Sequence, residues 1–197
     1  MYKKQMTAQK LLCLAAIIIS AIFFLYSLGI MTDLYDSLYD TMRNPNDITQ
    51  TDVAGSSLYY AMQAFNRQLL ILSIGQILLA CLLFVTNTHS RRKYYIGNYA
   101  ATGLFTAFAV YNSVYAHINI EDAKRMFLND IDFVALKEHA EMWGTLYTES
   151  TFWFDLHYLV FGLLLAISAL LIANAVWKAR LMKGEARLLE KGRRAAG

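Results

Sequence analysis

The chain has 197 residues, 57% of them apolar, and carries a formal charge of +3 with two cysteines and one proline. Two cysteines make no disulfide framework, and both, Cys13 and Cys81, fall inside apolar runs where a free thiol packs as a small hydrophobe. The net positive charge does not mark a nucleic-acid binder either, because basic and acidic residues are segregated along the chain in the way a membrane imposes.

The first apolar block, Leu11 to Met31, holds no Asp, Glu, Lys or Arg and is long enough for the roughly 20 residues a helix needs to cross the hydrocarbon core. It is read as a span over 11–31 and not as a removable signal peptide, since the run is too long and no small-x-small cleavage site precedes Thr32. Beyond it Leu34, Leu38 and Met42 recur at helical spacing, with Tyr35 and Tyr39 beside them and Asp33, Asp36 and Asp40 opposite. That pattern predicts a first helix that outlasts the bilayer, ended by the turn residues Asn44, Pro45, Asn46 and Asp47. Ser56 or Ser57 is placed to cap a helix leading into the second span, 68–90.

The connection from Asn87 to Lys93 is so short that the second and third spans must be antiparallel neighbours. The third span, 94–117, is the most polar, with Thr102, Thr106, Asn112 and Ser113 placed to line a water-filled path or a ligand-facing wall if one exists. EDAKRMFLND extends that helix outward, and Asp132 is a natural cap for an amphipathic helix with Phe133, Leu136, Ala140, Trp143 and Tyr147 on its apolar side. The fourth span runs over 155–177, and a basic tail follows over 178–197.

Orientation follows from the flanks. Thirteen of the 18 basic residues lie before the first block, between the second and third, or after Trp177, whereas 13 of the 15 acids belong to the connections 32–67 and 118–154 or their edges. The positive-inside rule then places both termini in the cytoplasm. The expected fold is an all-α integral membrane protein of the cell (plasma or inner) membrane: one domain, 1–197, with four transmembrane helices in an up-down bundle, N-in and C-in, and helical extracytoplasmic extensions.

Ionisable side chains are costly near membrane depth unless paired or turned to a polar cavity, so those at the outer ends of the spans are the first site candidates. Asp33, Arg67, His117, Asp155 and His157 fall at one depth and are expected to form a ring, with Arg67 and Asp155 as its ion pair. His117 and His157, on different helices, are also a candidate pair of ligands for haem or a metal, although the sequence assigns no metal and no cofactor is predicted. His139 with Glu138 and Glu141 reads as a solvated helix face, and the spacing of Asp33, Asp36 and Asp40 fits no calcium loop. No nucleophile elbow, Gly-rich phosphate loop or HExxH is present, so no enzyme chemistry is expected.

Small pairs four apart, Ala16/Ser20, Gly97/Ala101, Gly103/Ala107 and Gly162/Ala166, suit close helix contact within the bundle or with another chain. The leading expectation is a non-enzymatic subunit of a membrane protein complex whose acidic, aromatic outer helices bind a protein partner or a second copy. Rival readings are an oligomeric channel or transporter and a haem- or quinone-binding redox anchor. Besides the bilayer itself, anionic lipid headgroups are the expected partner of the basic tail, and nucleic acid is not expected.

Overall fold

The structure, a computed structural model, describes residues 2–29, 38–39, 41, 47, 50–87 and 95–195. It is helical throughout, with no strands among the described residues. The elements are α1 (Tyr2–Gly29), α2 (Leu58–Asn87), α3 (Tyr95–Asp130), α4 (Phe133–Trp143) and α5 (Phe152–Ala195). Of these, α1, α2 and α5 are long and apolar enough to cross a membrane. α3, which holds the expected third span over 94–117, is not among them.

The four long helices pack as a closed ring: α1 against α2 and α5, and α3 against α2 and α5. Side-chain bonds fix their antiparallel directions. Near one end Gln5 of α1 reaches Asn174 of α5 at 3.3 Å, and near the other the Tyr26 hydroxyl donates to the Trp153 carbonyl at 2.9 Å. On the α2 side Ser27 meets Ser73, hydroxyl to hydroxyl, at 3.2 Å. Between α3 and α5 the Tyr99 hydroxyl donates to the Ala175 carbonyl at 3.0 Å.

Fully buried alanines, Ala16, Ala80, Ala109 and Ala116, let the backbones approach, while Phe23, Leu69, Leu83 and Phe105 fill the space between them. Phe23 meets Phe161 edge to face at 5.0 Å between centroids. Buried amides form a second kind of contact. Gln5 donates to Gln9 at 2.9 Å, Gln9 donates to Asn98, and Asn98 reaches Thr86 at 3.4 Å, so one chain of bonds touches all four long helices.

The helices are longer than the apolar blocks. α2 starts ten residues before Gln68, and α3 runs without a break to Asp130, so the outward extension expected of it is present. α5 continues through the basic residues to Ala195, giving about 66 Å of helix at 1.5 Å per residue, well beyond the roughly 30 Å hydrocarbon core. The expected extension of the first helix lies outside the described residues, except that Leu38 and Tyr39 are helical and Leu38 is buried.

The outer storey rests on three local devices. Asp132 caps α4, its carboxylate accepting from the backbone of Val134 and Ala135 at 3.1 Å each. Gly144, in the left-handed region at φ 68°, ends that helix. Gly55, at φ 82°, lies so close to Asp130 that a Cβ there would stand 2.3 Å from its carbonyl oxygen, and the Asp132 N–H donates to the Ala54 carbonyl at 3.2 Å. The turn before α2 is thereby fastened to the end of α3. Of the two serines expected as caps, Ser56 does not act as one: its buried hydroxyl makes no hydrogen bond.

One face of α4 departs from expectation. Leu136 and Ala140 are buried, and Phe133 and Tyr147 are half-buried, but Trp143 is 69% exposed. The helix stops at Trp143 and the chain turns at Gly144, so its last turn overhangs the surface that Leu136 and Ala140 cover. His139 also departs: it is half-buried rather than solvated, with Nε2 3.9 Å from Asp52 and its ring beside Trp143.

Candidate functional site

α3 and α5 are antiparallel neighbours, so the outward end of one meets the start of the other, and there the ionisable side chains gather. His117 Nδ1 stands 3.0 Å from His157 Nε2. Glu121, one turn beyond His117 on α3, places Oε1 4.0 Å from the same His157 nitrogen. One turn further out, Lys124 of α3 pairs with Asp155 of α5 at 2.5 Å, and the Thr151 hydroxyl donates to the other carboxylate oxygen at 2.8 Å.

Backbone geometry sets the proton positions. His157 Nδ1 faces the Phe154 carbonyl one turn back, an atom that only accepts. Nδ1 therefore carries the hydrogen and Nε2 presents its lone pair toward His117, whose Nδ1 must donate to it. The Glu121 carboxylate is held in turn: the Tyr158 hydroxyl donates to Oε1 at 2.9 Å. Above this layer the hydrogen bond that Lys124 donates to the Asp155 carboxylate raises the pKa of the ammonium above its ordinary value.

His157 is buried, whereas His117 is exposed and Glu121 half-exposed, so the cluster opens outward from α5. Beside it lies a cavity of about 350 Å³ between Ser113, Val114 and His117 of α3 and His157, Phe161 and Leu165 of α5. Its walls are mostly apolar, and the histidines supply its polar end.

Of the five residues expected to form a ring, the structure brings His117 and His157 into contact and sets Asp155 two residues before His157 on α5. It does not join Arg67 to Asp155. α2 and α5 occupy opposite corners of the helix ring, Arg67 is exposed, and Lys124 on the adjacent helix takes the carboxylate instead. Asp33 lies outside the described residues.

The four polar residues of α3 divide. Thr102 and Ser113 donate back to the carbonyls of Asn98 and Ala109 at 2.8 and 2.7 Å, Asn112 donates to Gln76 of α2 at 3.0 Å, and Thr106 is half-buried. Only Ser113 of the four borders the cavity beside His117.

Glu121 and Tyr158 were not among the sequence candidates. His117 and Glu121 do stand four apart, the spacing that puts two side chains on one helix face, so that signal was readable. A separation of 3.0 Å between the two imidazole nitrogens is that of a direct hydrogen bond. Comparison of the chain with protein-family models, curated proteins and solved structures finds no match.

Proposed function

We propose that the chain is a four-span membrane protein, with both termini in the cytoplasm, that serves as a non-enzymatic subunit of a cell-membrane complex by presenting its outer storey to a protein partner or a second copy. The observation that carries this reading is an apolar surface beyond the spans. Val134, Met142, Trp143 and Leu146 are 71, 75, 69 and 62% exposed. Large apolar side chains grouped on an outer element mark contact surfaces, and tryptophan and methionine are favoured in them. Glu138, Glu141 and Glu149 border the same storey, which favours a partner that adds basic groups to an apolar patch.

Two features support the membrane part. α3 lies between α2 and α5 and shows Leu104, Val110, Val114 and Ile118 outward, an apolar belt continuous with those of its neighbours despite its polar interior. The pairs Gly103/Ala107 and Gly162/Ala166 also face out of the bundle and offer flat surface to another helix.

The test is a photo-crosslinking residue at Met142, activated in native membranes. A discrete adduct, homodimeric or with one other protein, is expected, and Val134→Glu with Trp143→Glu should abolish it. If only uncrosslinked chain is recovered, or if the adduct survives both charges, the outer storey is not the docking surface. Mass and visible absorption of the chain purified in mild detergent are recorded together, because a haem spectrum would favour the redox-anchor reading.

A further inference from the structure

We propose that His117, Glu121 and His157 form a binding site for one divalent first-row transition metal ion, of which zinc is the reference. Their donor atoms all lie within 4.8 Å of one another, on two helices that are already packed together. Two imidazoles and one carboxylate are a donor set that zinc and its neighbours accept, at bonds of about 2.0–2.2 Å. At that length two tetrahedral ligands stand about 3.4 Å apart. The His117–His157 separation of 3.0 Å must open slightly and the His157–Glu121 separation of 4.0 Å must close slightly. Both are within reach of side-chain rotation on fixed helices.

The surrounding bonds carry the argument further than proximity. A ligating histidine characteristically gives its other N–H to a carbonyl or carboxylate, which fixes the tautomer and aims the lone pair. His157 does this through Nδ1 and the Phe154 carbonyl. A ligating carboxylate is held by its own hydrogen-bond donor, and Tyr158 supplies one to Glu121. Both outer contacts exist in the chain as it stands.

In the metal-free protein the hydrogen on His117 Nδ1 fills the space between the two rings. Binding needs that hydrogen moved to His117 Nε2, a change of tautomer that frees the Nδ1 lone pair for the ion. Lys124, three residues beyond Glu121, is engaged by Asp155 at 2.5 Å. Three protein donors leave at least one position open, and a cavity of about 350 Å³ adjoins both histidines.

The full chain, carrying an affinity tag without histidines and stripped with a chelator, is titrated in detergent with Zn(II) by calorimetry and with Co(II) by visible absorption. One Zn(II) per chain is expected, together with a Co(II) ligand-field band that Zn(II) displaces. His157 is buried, so the decisive variants are His117→Ala and Glu121→Gln, whose side chains reach the surface. Each should weaken binding by at least about 10–100-fold while elution volume and helical circular dichroism stay as in wild type. His139→Ala should bind as wild type. No saturable binding by wild type, undiminished affinity in both decisive variants, or an equal loss in His139→Ala would each overturn the site. The two histidines would then be a hydrogen-bonded pair that ties α3 to α5.

Discussion

Lys124 Nζ lies 2.5 Å from Asp155 Oδ1, so an ion pair closes the seam between α3 and α5 outside the two histidines. The side chains are 24% and 45% exposed, which places the pair in the weak, solvent-screened class. A cycle of Lys124→Met, Asp155→Asn and the double variant, followed by thermal stability in detergent, should give a coupling of about 0.5–1 kcal/mol. Complete additivity would show that the contact contributes nothing. Because the Lys124 value is raised, its stabilisation is fully present below the ordinary lysine value and fades only as pH rises through the raised one. The stability difference between wild type and Lys124→Met should therefore be flat from about pH 7 to about pH 9.

Gly55→Ala should be among the most damaging single-methyl changes in the chain. It combines φ 82° with a Cβ only 2.3 Å from the Asp130 carbonyl oxygen, and backbone on both sides cannot step aside cheaply. A loss of at least about 2 kcal/mol is expected. Gly144→Ala, at φ 68° with open space around its Cβ, should cost only about 1–2 kcal/mol. Similar melting points for the two variants would mean that the contact between the α2 turn and the end of α3 is not under strain.

The outer storey should depend on Leu136 and not on Trp143. Leu136 is buried, so Leu136→Ala should cost about 2–5 kcal/mol and make the connections around α4 sensitive to protease. Trp143→Ala removes a side chain that is 69% exposed and should change stability by less than about 1 kcal/mol in the isolated chain. Limited proteolysis of both variants decides; the reverse order of sensitivity would count against this packing.

The buried amides near the other end give a fourth expectation. Asn98 accepts from Gln9 and donates toward the Leu83 carbonyl at 3.5 Å and toward Thr86 at 3.4 Å. Asn98→Ala strands the Gln9 amide in a buried place and should cost about 1–3 kcal/mol. Adding Gln9→Leu removes the stranded donor and should recover part of that loss, because Gln5, which then loses Gln9 as an acceptor, keeps Asn174 as a partner. If the double variant is the less stable of the two, the amides contribute more than each other's satisfaction.

The sequence by itself determined the helical class, the apolar surfaces of α1, α2 and α5, the outward extension of α3 and the Asp132 cap. Each of these is local: a run without charge, a period of 3.6, or one side chain reaching its own backbone two or three residues on. The arrangement of the ring was not local. Periodicity along each helix does not say which corner a helix occupies; only the packing of α3 beside α5 gave Asp155 to Lys124. The same adjacency brought His157 against the His117 and Glu121 face, while the stop at Gly144 left Trp143 outside the core. Those outcomes belong to tertiary structure because side chains from distant segments meet only after the helix neighbours and the helix ends have been chosen.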